Sequence, residues 1–302
     1  MVCQKQKDKC IIFNPAAKGE KSRWFLNKLS QLDCEWDAKK TEKPGQAREL
    51  AAKAVSEGFK FIVCAGGDGT LNEIVNGVGD VDDRFKRVII GVIPLGTSNV
   101  FAREHNIPQN PDEAMQVIVS GRVKKIDLPY AEFENQGKKE RRYFIQLGGA
   151  GLDARAVELV RWELKKKIGW LAYIYAGIKA ASETQPHINI KYDNGETVGN
   201  LVLFGNGHFY GGSFNVFPNA ACDDGFLELA IYPKVNYGAV FKCLPGLITK
   251  NFADRGGVKY YLTRGFELKS DSRTGFELDG EYVGVLPVKV KLNPLGVQII
   301  AP

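Results

Sequence analysis

A chain of 302 residues, 44% hydrophobic and 25% charged with a net charge of +6, has material for two domains of ordinary size and ample core. No apolar run reaches about eighteen residues, the nearest (Ile168 to Ala181) being short and carrying Lys179, so a membrane-spanning helix is not expected. The charge suits a protein that meets nucleotides or an anionic membrane, without being diagnostic of nucleic acid, which is not expected as a partner.

The start of the chain is polar and basic, without the apolar stretch of a secretory leader. Six cysteines (Cys3, Cys10, Cys34, Cys64, Cys222 and Cys243) lack CxxC or other metal spacing, and predict reduced, mostly buried thiols in a cytoplasmic protein. Cys10 to Phe13 reads as a short strand ending in Asn14-Pro15. A small polar loop through Gly19 follows, and Ser22 can cap a helix to about Leu32. Cys34 to Ala38 is a second strand candidate, ending near Thr41. Pro44 is expected in the first turn of the next helix and Gly58 just past its end.

Phe61 to Ala65 is an apolar strand that breaks into Gly66-Gly67-Asp68-Gly69-Thr70, and helical spacing resumes over Leu71 to Gly77. A strand that opens through glycines into a helix seats phosphate well. Glycines let the backbone come close, and the amides of the first helical turn point at the anion. Asp68 is the odd member. A carboxylate there repels phosphate unless a metal or a proton transfer is involved, or unless it acts only as a helix cap. Arg87 to Ile93 is a fourth strand, leading into Pro94-Leu95-Gly96-Thr97-Ser98-Asn99. Asn110 caps, and Pro111 begins, a helix that Gly121 terminates. Strands alternating with helices predict a parallel-sheet α/β domain over residues 1–127.

Beyond that point the pattern changes. Tyr143 to Leu147 is a strand run, and Asp153 to Ile168 a helix with Ala156, Val157, Val160, Leu164 and Ile168 on its apolar face. After a second apolar helix come short strands: Ile188 to Tyr192, the Asp193-Asn194-Gly195 turn, and Val198 to Phe204. Phe226 to Ile231, Val258 to Leu262, Phe266 to Leu268, Phe276 to Leu278 and Val288 to Leu292 continue the series. The expectation is a mostly antiparallel β-sandwich domain over 128–289, with the tail 290–302 rejoining the first domain.

Several motifs weaken on inspection. Gly149-x-Gly151-x-x-Ala154 has the form of a dinucleotide fingerprint, but no acidic residue follows at the end of a next strand; a helix with Lys165-Lys166-Lys167 does. Gly19-Glu20-Lys21-Ser22 is not a complete P-loop. No GxSxG is present, and His105, His187 and His208 stand apart from cysteines and carboxylates, so a hydrolase triad or histidine metal site is disfavoured. Asp223-Asp224-Gly225 and Leu278-Asp279-Gly280-Glu281 are acidic turns by local composition. Functionally, the first could hold a small hard cation with one carboxylate and backbone carbonyls. The second, together with Asp68, supplies the carboxylates that phosphoryl transfer uses.

The order of these motifs resembles the diacylglycerol kinase catalytic domain, most closely that of bacterial soluble lipid kinases related to sphingosine kinases. Asn14-Pro15, Thr41 before Pro44-Gly45, Gly66 to Thr70 with Asn72-Glu73, Pro94-x-Gly96-Thr97-x-Asn99, Asp224-Gly225 and Asp279-Gly280-Glu281 carry the resemblance along essentially the whole chain. It implies a two-domain kinase with nucleotide in the interdomain cleft and Mg²⁺ and ATP as cofactor and co-substrate. The implied nucleotide set is Asn14, Thr41, Gly66, Gly67, Asp68, Gly69, Thr70, Leu71, Asn72, Glu73, Gly96, Thr97 and Asn99. Glu281 is the implied base on a lipid hydroxyl, with Asp68 and Asp279 beside the catalytic Mg²⁺. A structural Mg²⁺ would take the Asp224 carboxylate and the carbonyls of Ala221 and Phe226. Many relatives have aspartate after the last asparagine of the second glycine motif, where this chain has Val100.

The expected setting is the inner membrane face, peripherally, with oligomerisation left open. Trp162, Lys165 and Lys166 on one helix face, followed by Trp170, Tyr173 and Tyr175, suit contact with anionic membrane as well as a solvated basic face. Rival readings are a NAD-kinase-like enzyme with a soluble acceptor, and a nucleotide- or membrane-binding module without turnover.

Overall fold

The computed structural model describes residues 8–15, 23, 25, 27, 28, 36–81, 84–159 and 185–302. Of the predicted helix from Ser22 only Arg23, Phe25, Asn27 and Lys28 are described, all helical. The rest of it, residues 16–19 of the loop, Cys34, the predicted helix beyond Leu159, and the Trp162, Lys165 and Lys166 face with Trp170, Tyr173 and Tyr175 lie outside the described residues. Two compact units are present: Met1–Ile126 with Leu295–Pro302, and Asp127–Pro294.

The first unit alternates strand and helix. Its elements are β1 (Lys9–Phe13), β2 (Trp36–Lys40), α1 (Gln46–Ser56), β3 (Phe61–Gly66), α2 (Asp68–Gly79), β4 (Ile89–Pro94), α3 (Val100–Glu104) and α4 (Pro111–Ser120). The strands run parallel in the order β2-β1-β3-β4. Gln298 and Ile299 of the closing strand add to β4 opposite Ile89 and Ile90. Parallel strands covered on both faces need near-continuous apolar runs, and Ile62, Val63, Cys64 and Ala65 are all buried. Ile11, Phe13, Val63, Ala65, Ile93 and Ile118 meet in one core cluster.

The chain leaves β1 toward β2 on one side and resumes with β3 and β4 on the other. The carboxyl ends of β1 and β3 therefore flank a topological switch point, the place where open α/β sheets bind ligands. Cys10 and Cys64 are buried free thiols, and burial pushes the Cys10 thiol up to about 12.

The predicted helix over Pro111 forms as expected, with Asn110 Oδ1 accepting the amides of Asp112 and Glu113. Pro44 is a correction: it lies in the turn before α1, whose cap is Gly45 in the left-handed region at φ 84°. The five-residue α3 is too short to show a helical period in the sequence.

The second unit begins within β5 (Arg122–Asn135), which pairs with β6 (Lys138–Tyr143). Then come β7 (Leu147–Gly151), α5 (Leu152–Leu159), β8 (Ile188–Tyr192), β9 (Gly195–Gly199), β10 (Leu201–Gly205), β11 (Phe209–Tyr210) and β12 (Phe214–Asn215). It closes with β13 (Leu227–Tyr232), α6 (Tyr237–Thr249), β14 (Lys259–Thr263), β15 (Gly265–Ser270), β16 (Gly275–Leu278), β17 (Glu281–Val285) and β18 (Val288–Ala301). One sheet runs β14-β13-β10-β7-β16-β17, every pair antiparallel. In the other, β15 lies between β18 and β8, and β9 follows β8. Phe204, Leu229 and Phe276 from the first sheet meet Ile190, Phe266 and Val290 from the other in one buried cluster, which makes this an antiparallel sandwich.

Two sequence expectations fail here. Tyr143 to Leu147 is not one strand but the end of β6, a break over residues 144–146 and the start of β7, because the amides of Ile145, Gln146 and Leu147 are taken by a side chain described below. Val198 to Phe204 is cut at Asn200, whose buried side chain donates to the Pro186 carbonyl at 2.7 Å. The dinucleotide-like glycines have a packing cause. A Cβ on Gly149 would stand 2.2 Å from Asp153 Oδ2, and one on Gly151, itself at φ 86°, 2.5 Å from the Asn200 carbonyl oxygen.

Candidate active site

In the first unit the predicted nucleotide residues gather at the carboxyl ends of the strands. Thr41 uses both its amide (2.9 Å) and its hydroxyl (3.3 Å) to bond the Phe13 carbonyl, and the Asn14 amide donates to Ala65 O at 3.2 Å. β3 then turns through Gly66 and Gly67 into α2. The two glycine loops touch: a Cβ on Gly96 would lie 2.5 Å from Gly67 Cα, which leaves no room for a side chain there, and one on Gly67 would lie a tight 3.1 Å from Gly96 Cα. Leu95 N to Gly66 O at 2.9 Å ties the same loops together, and Thr97 is exposed beside them. Asn99 sits in the left-handed region at φ 46° and donates to the Gly96 carbonyl at 2.9 Å, which closes the second loop.

The motif carboxylates do unexpected work. Asp68 does not cap its own helix, whose cap Gly67 has no side chain. Its Oδ1 accepts the Phe101 amide at 3.2 Å, so it holds the N-terminus of α3, where Val100 and Asn99 amides also favour its charged form. Burial is the larger influence and raises its pKa. Val100 thus marks the first residue of a helix clamped from α2. Glu73 acts in the same way on α1, accepting the amides of Gly45 (2.9 Å) and Ala47 (3.0 Å). Asn72 is buried and takes a hydrogen bond from the Asn76 side chain. Gly69, Thr70 and Leu71 form the first turn of α2, with the Leu71 amide on Gly67 O at 3.1 Å. One short motif therefore fixes two other helix starts around the loop.

In the second unit, Asp279 and Gly280 form a two-residue hairpin turn between β16 and β17, with Leu278 paired to Glu281. Both turn residues have positive φ (49° and 81°), which is why Asp-Gly stands there. The Asp279 carboxylate accepts the amides of Ile145, Gln146 and Leu147 at 3.0–3.1 Å. Three of its four lone-pair sites are thereby used by backbone, so the carboxylate clamps the turn. Glu281, at the first position of β17, is half-exposed and pairs with the Arg142 guanidinium.

Behind this turn lies a feature with no sequence signal beyond ordinary strand and helix residues. Glu277 is 0% and Asp153 8% exposed, two buried carboxylates close enough that the charge of Asp153 disfavours ionisation of Glu277. Glu277 Oε2 accepts the Gly280 amide at 2.7 Å, while the Tyr210 hydroxyl donates to Asp153 Oδ1. Burial, then Asp153, pushes Glu277 well above the usual carboxylate range. A raised folded-state pKa contributes stability that is full below the unfolded value and lost as pH rises through the folded one. Stability of the wild type should therefore fall as pH rises above the ordinary glutamate range, and Glu277→Gln should flatten that slope in denaturant melts. Parallel slopes for the two proteins would remove the pair from the pH dependence.

The third acidic turn carries a buried partner that sequence reasoning missed. Asp224 is exposed and its Oδ1 accepts the Phe226 amide at 2.8 Å. The intervening Gly225 amide donates to Asp127 Oδ2 at 2.7 Å, and the Asp127 amide to Cys222 O at 2.6 Å. Asp127 is fully buried in the apolar run Ile126-Asp127-Leu128, and that isolated charge was its only signal. Among the described residues no three His, Cys, Asp or Glu side chains group as metal ligands. A hard cation fits this turn only through the Asp224 carboxylate, its neighbour Asp127 and backbone oxygens such as those of Ala221 and Phe226.

The sequence matches the diacylglycerol kinase catalytic domain family over residues 8–131 and the YegS C-terminal NAD kinase beta sandwich-like domain over residues 148–301. A diacylglycerol kinase of Staphylococcus aureus (strain MRSA252) is 31% identical over 299 residues, spanning 97% of this chain and 91% of that protein. One from Staphylococcus carnosus (strain TM300) is 31% identical over 97% and 94%. A crystal structure of a diacylglycerol kinase from Bacillus anthracis str. Sterne shares the fold, with a TM-score of 0.78 at 24% identity over 98% of this chain and 97% of that one. Mixed α/β architecture, with a parallel-sheet unit followed by an antiparallel sandwich, is common to both.

Proposed function

The chain belongs to the diacylglycerol kinase family, and from that premise we propose that it transfers the γ-phosphoryl group of ATP to a lipid hydroxyl at a membrane surface. The observation that carries this reading is the pair of glycine loops packed Cα against Cα at the start of α2. Backbone amides without side chains in the way are what a polyphosphate needs, and the dipole of α2 adds to them.

Phosphoryl transfer asks little covalent chemistry of a protein; it asks for position, neutralised charge and a base. The first unit supplies position through Gly66 to Asn72 and Gly96 to Asn99, with Asn14 and Thr41 at the neighbouring strand ends. Asp68 and Glu73 keep the surrounding helix starts in place. In the second unit Glu281 is the base that accepts the proton of the lipid hydroxyl, and Asp279 fixes the turn that presents it. Mg²⁺, when bound, would neutralise phosphate charge, and the Asp224 turn would hold a second, structural ion.

Purified protein incubated with labelled ATP and Mg²⁺ in mixed micelles should pass label to an extractable lipid. Diacylglycerol, a sphingoid base and phosphatidylglycerol are the acceptors to compare, with NAD as a soluble control. No label in any of the three lipids would overturn the reading, and label in NAD would favour a NAD-kinase-like reaction instead. Among the described residues no helix is long and apolar enough to cross a membrane.

A further inference from the structure

Helix α6 turns its apolar stripe outward. Phe241, Leu244, Pro245 and Ile248 recur at intervals of three and four, the spacing that ordinarily faces a core. Here Phe241 is 73% exposed, Ile248 88% and Leu244 41%. Its opposite side is made of small groups: Gly246 is buried, and a Cβ there would come within 2.9 Å of Phe252. A single exposed leucine needs no explanation, but three large apolar side chains on one stripe of one helix form a patch.

Charge says what covers it. No aspartate or glutamate occurs from Tyr232 to Ala253, while Lys234, Lys242 and Lys250 all lie exposed in that stretch. A second copy of the chain would set these lysines against lysines. An anionic bilayer satisfies both features, since its headgroups take the ammonium groups and its acyl boundary takes Phe, Leu and Ile.

We propose that α6 lies in the plane of an anionic bilayer, with Phe241, Leu244 and Ile248 at the acyl boundary and Lys242 and Lys250 among the headgroups. This deepens the lipid-kinase reading and rests on it for its purpose, but not for its test. The probe is phosphatidylcholine vesicles with and without phosphatidylglycerol, read by co-sedimentation and by the emission of a Phe241→Trp variant.

Wild type should partition onto the phosphatidylglycerol vesicles, and Phe241→Trp should shift its emission to the blue there. Phe241→Ser with Ile248→Ser should weaken partitioning by about tenfold or more for each side chain. Lys242→Ser with Lys250→Ser should weaken it by about fivefold for each lysine. Both pairs replace exposed side chains, and transfer to a monomeric short-chain diacylglycerol should stay at the wild-type rate. Unchanged partitioning of both double variants, or no emission shift, overturns the proposal. A dimer in sedimentation equilibrium that the Ser variants dissolve would assign the patch to a second copy and overturn it as well. Vesicle binding without phosphate transfer to any lipid would sink the kinase reading and leave this surface standing.

Discussion

Exchanging Glu281 for glutamine is expected to lower turnover by about 10²–10⁴-fold while leaving thermal stability unchanged. Glutamine is nearly the same size and still offers an oxygen to Arg142, so the start of β17 should keep its geometry. The ion pair it weakens is half-exposed, and such pairs contribute roughly 0–1 kcal/mol. What it removes is the ability to take a proton. The hairpin turn that carries Glu281 is fastened independently, by Asp279 on three amides and by Glu277 on the Gly280 amide, and neither contact passes through residue 281. A fall in kcat with unchanged KM for ATP and an unchanged melting temperature is the expected pattern. Full turnover in the variant would take the base role away from Glu281 and favour a binding module whose acidic turn is only a turn.

What could be seen in the sequence was the part written locally. Gly66 to Thr70, Asn110-Pro111 and Asp279-Gly280 announce their conformations because glycine, proline and capping residues respond to their own φ, ψ and nearest amides. The alternation of apolar runs with helical spacing likewise gave the parallel unit, and the rhythm of short strands gave the sandwich. Contacts of long sequence separation left no such mark. Asp68 looked like a cap for α2 or a metal ligand, yet its partner amide is 33 residues later. Asp279 reaches amides more than 130 residues earlier, and Glu73 caps a helix that precedes it. Each is a carboxylate serving orphan amides, a need that any segment can meet and no spacing encodes. Asp153 and Glu277 show the same limit from the other side. As residues of a helix and a strand they carry ordinary sequence signals, and only burial in one place makes the charge of one disfavour the charge of the other. α6 was missed because its apolar stripe meets no core, so its period pointed to no packing partner.

Asp68→Ala should abolish measurable turnover, and the reason separates two roles that the sequence could not. The carboxylate accepts the Phe101 amide at the start of α3, and the loop from Gly96 to Asn99 runs straight into that helix. Losing a hydrogen bond to a charged group costs roughly 1.5–3 kcal/mol, enough to let α3 shift against α2 in a protein of ordinary stability. The second glycine loop would then lose its register with the first, where Gly67 and Gly96 have no slack. Asp68→Asn tests the alternative, because its amide oxygen can still accept from Phe101 while its charge is gone. If Asp68 acts as a clamp, the Asn variant keeps most of the wild-type stability and a substantial part of turnover, and the Ala variant loses both. If Asp68 acts on the metal–phosphate charge, both variants lose turnover equally and the Asn variant melts like wild type. Retention of the wild-type rate by Asp68→Ala would remove the residue from the mechanism altogether. The geometry favours the clamp: a carboxylate facing the positive end of a short helix, its pKa raised by burial, is already committed to that helix before any nucleotide arrives.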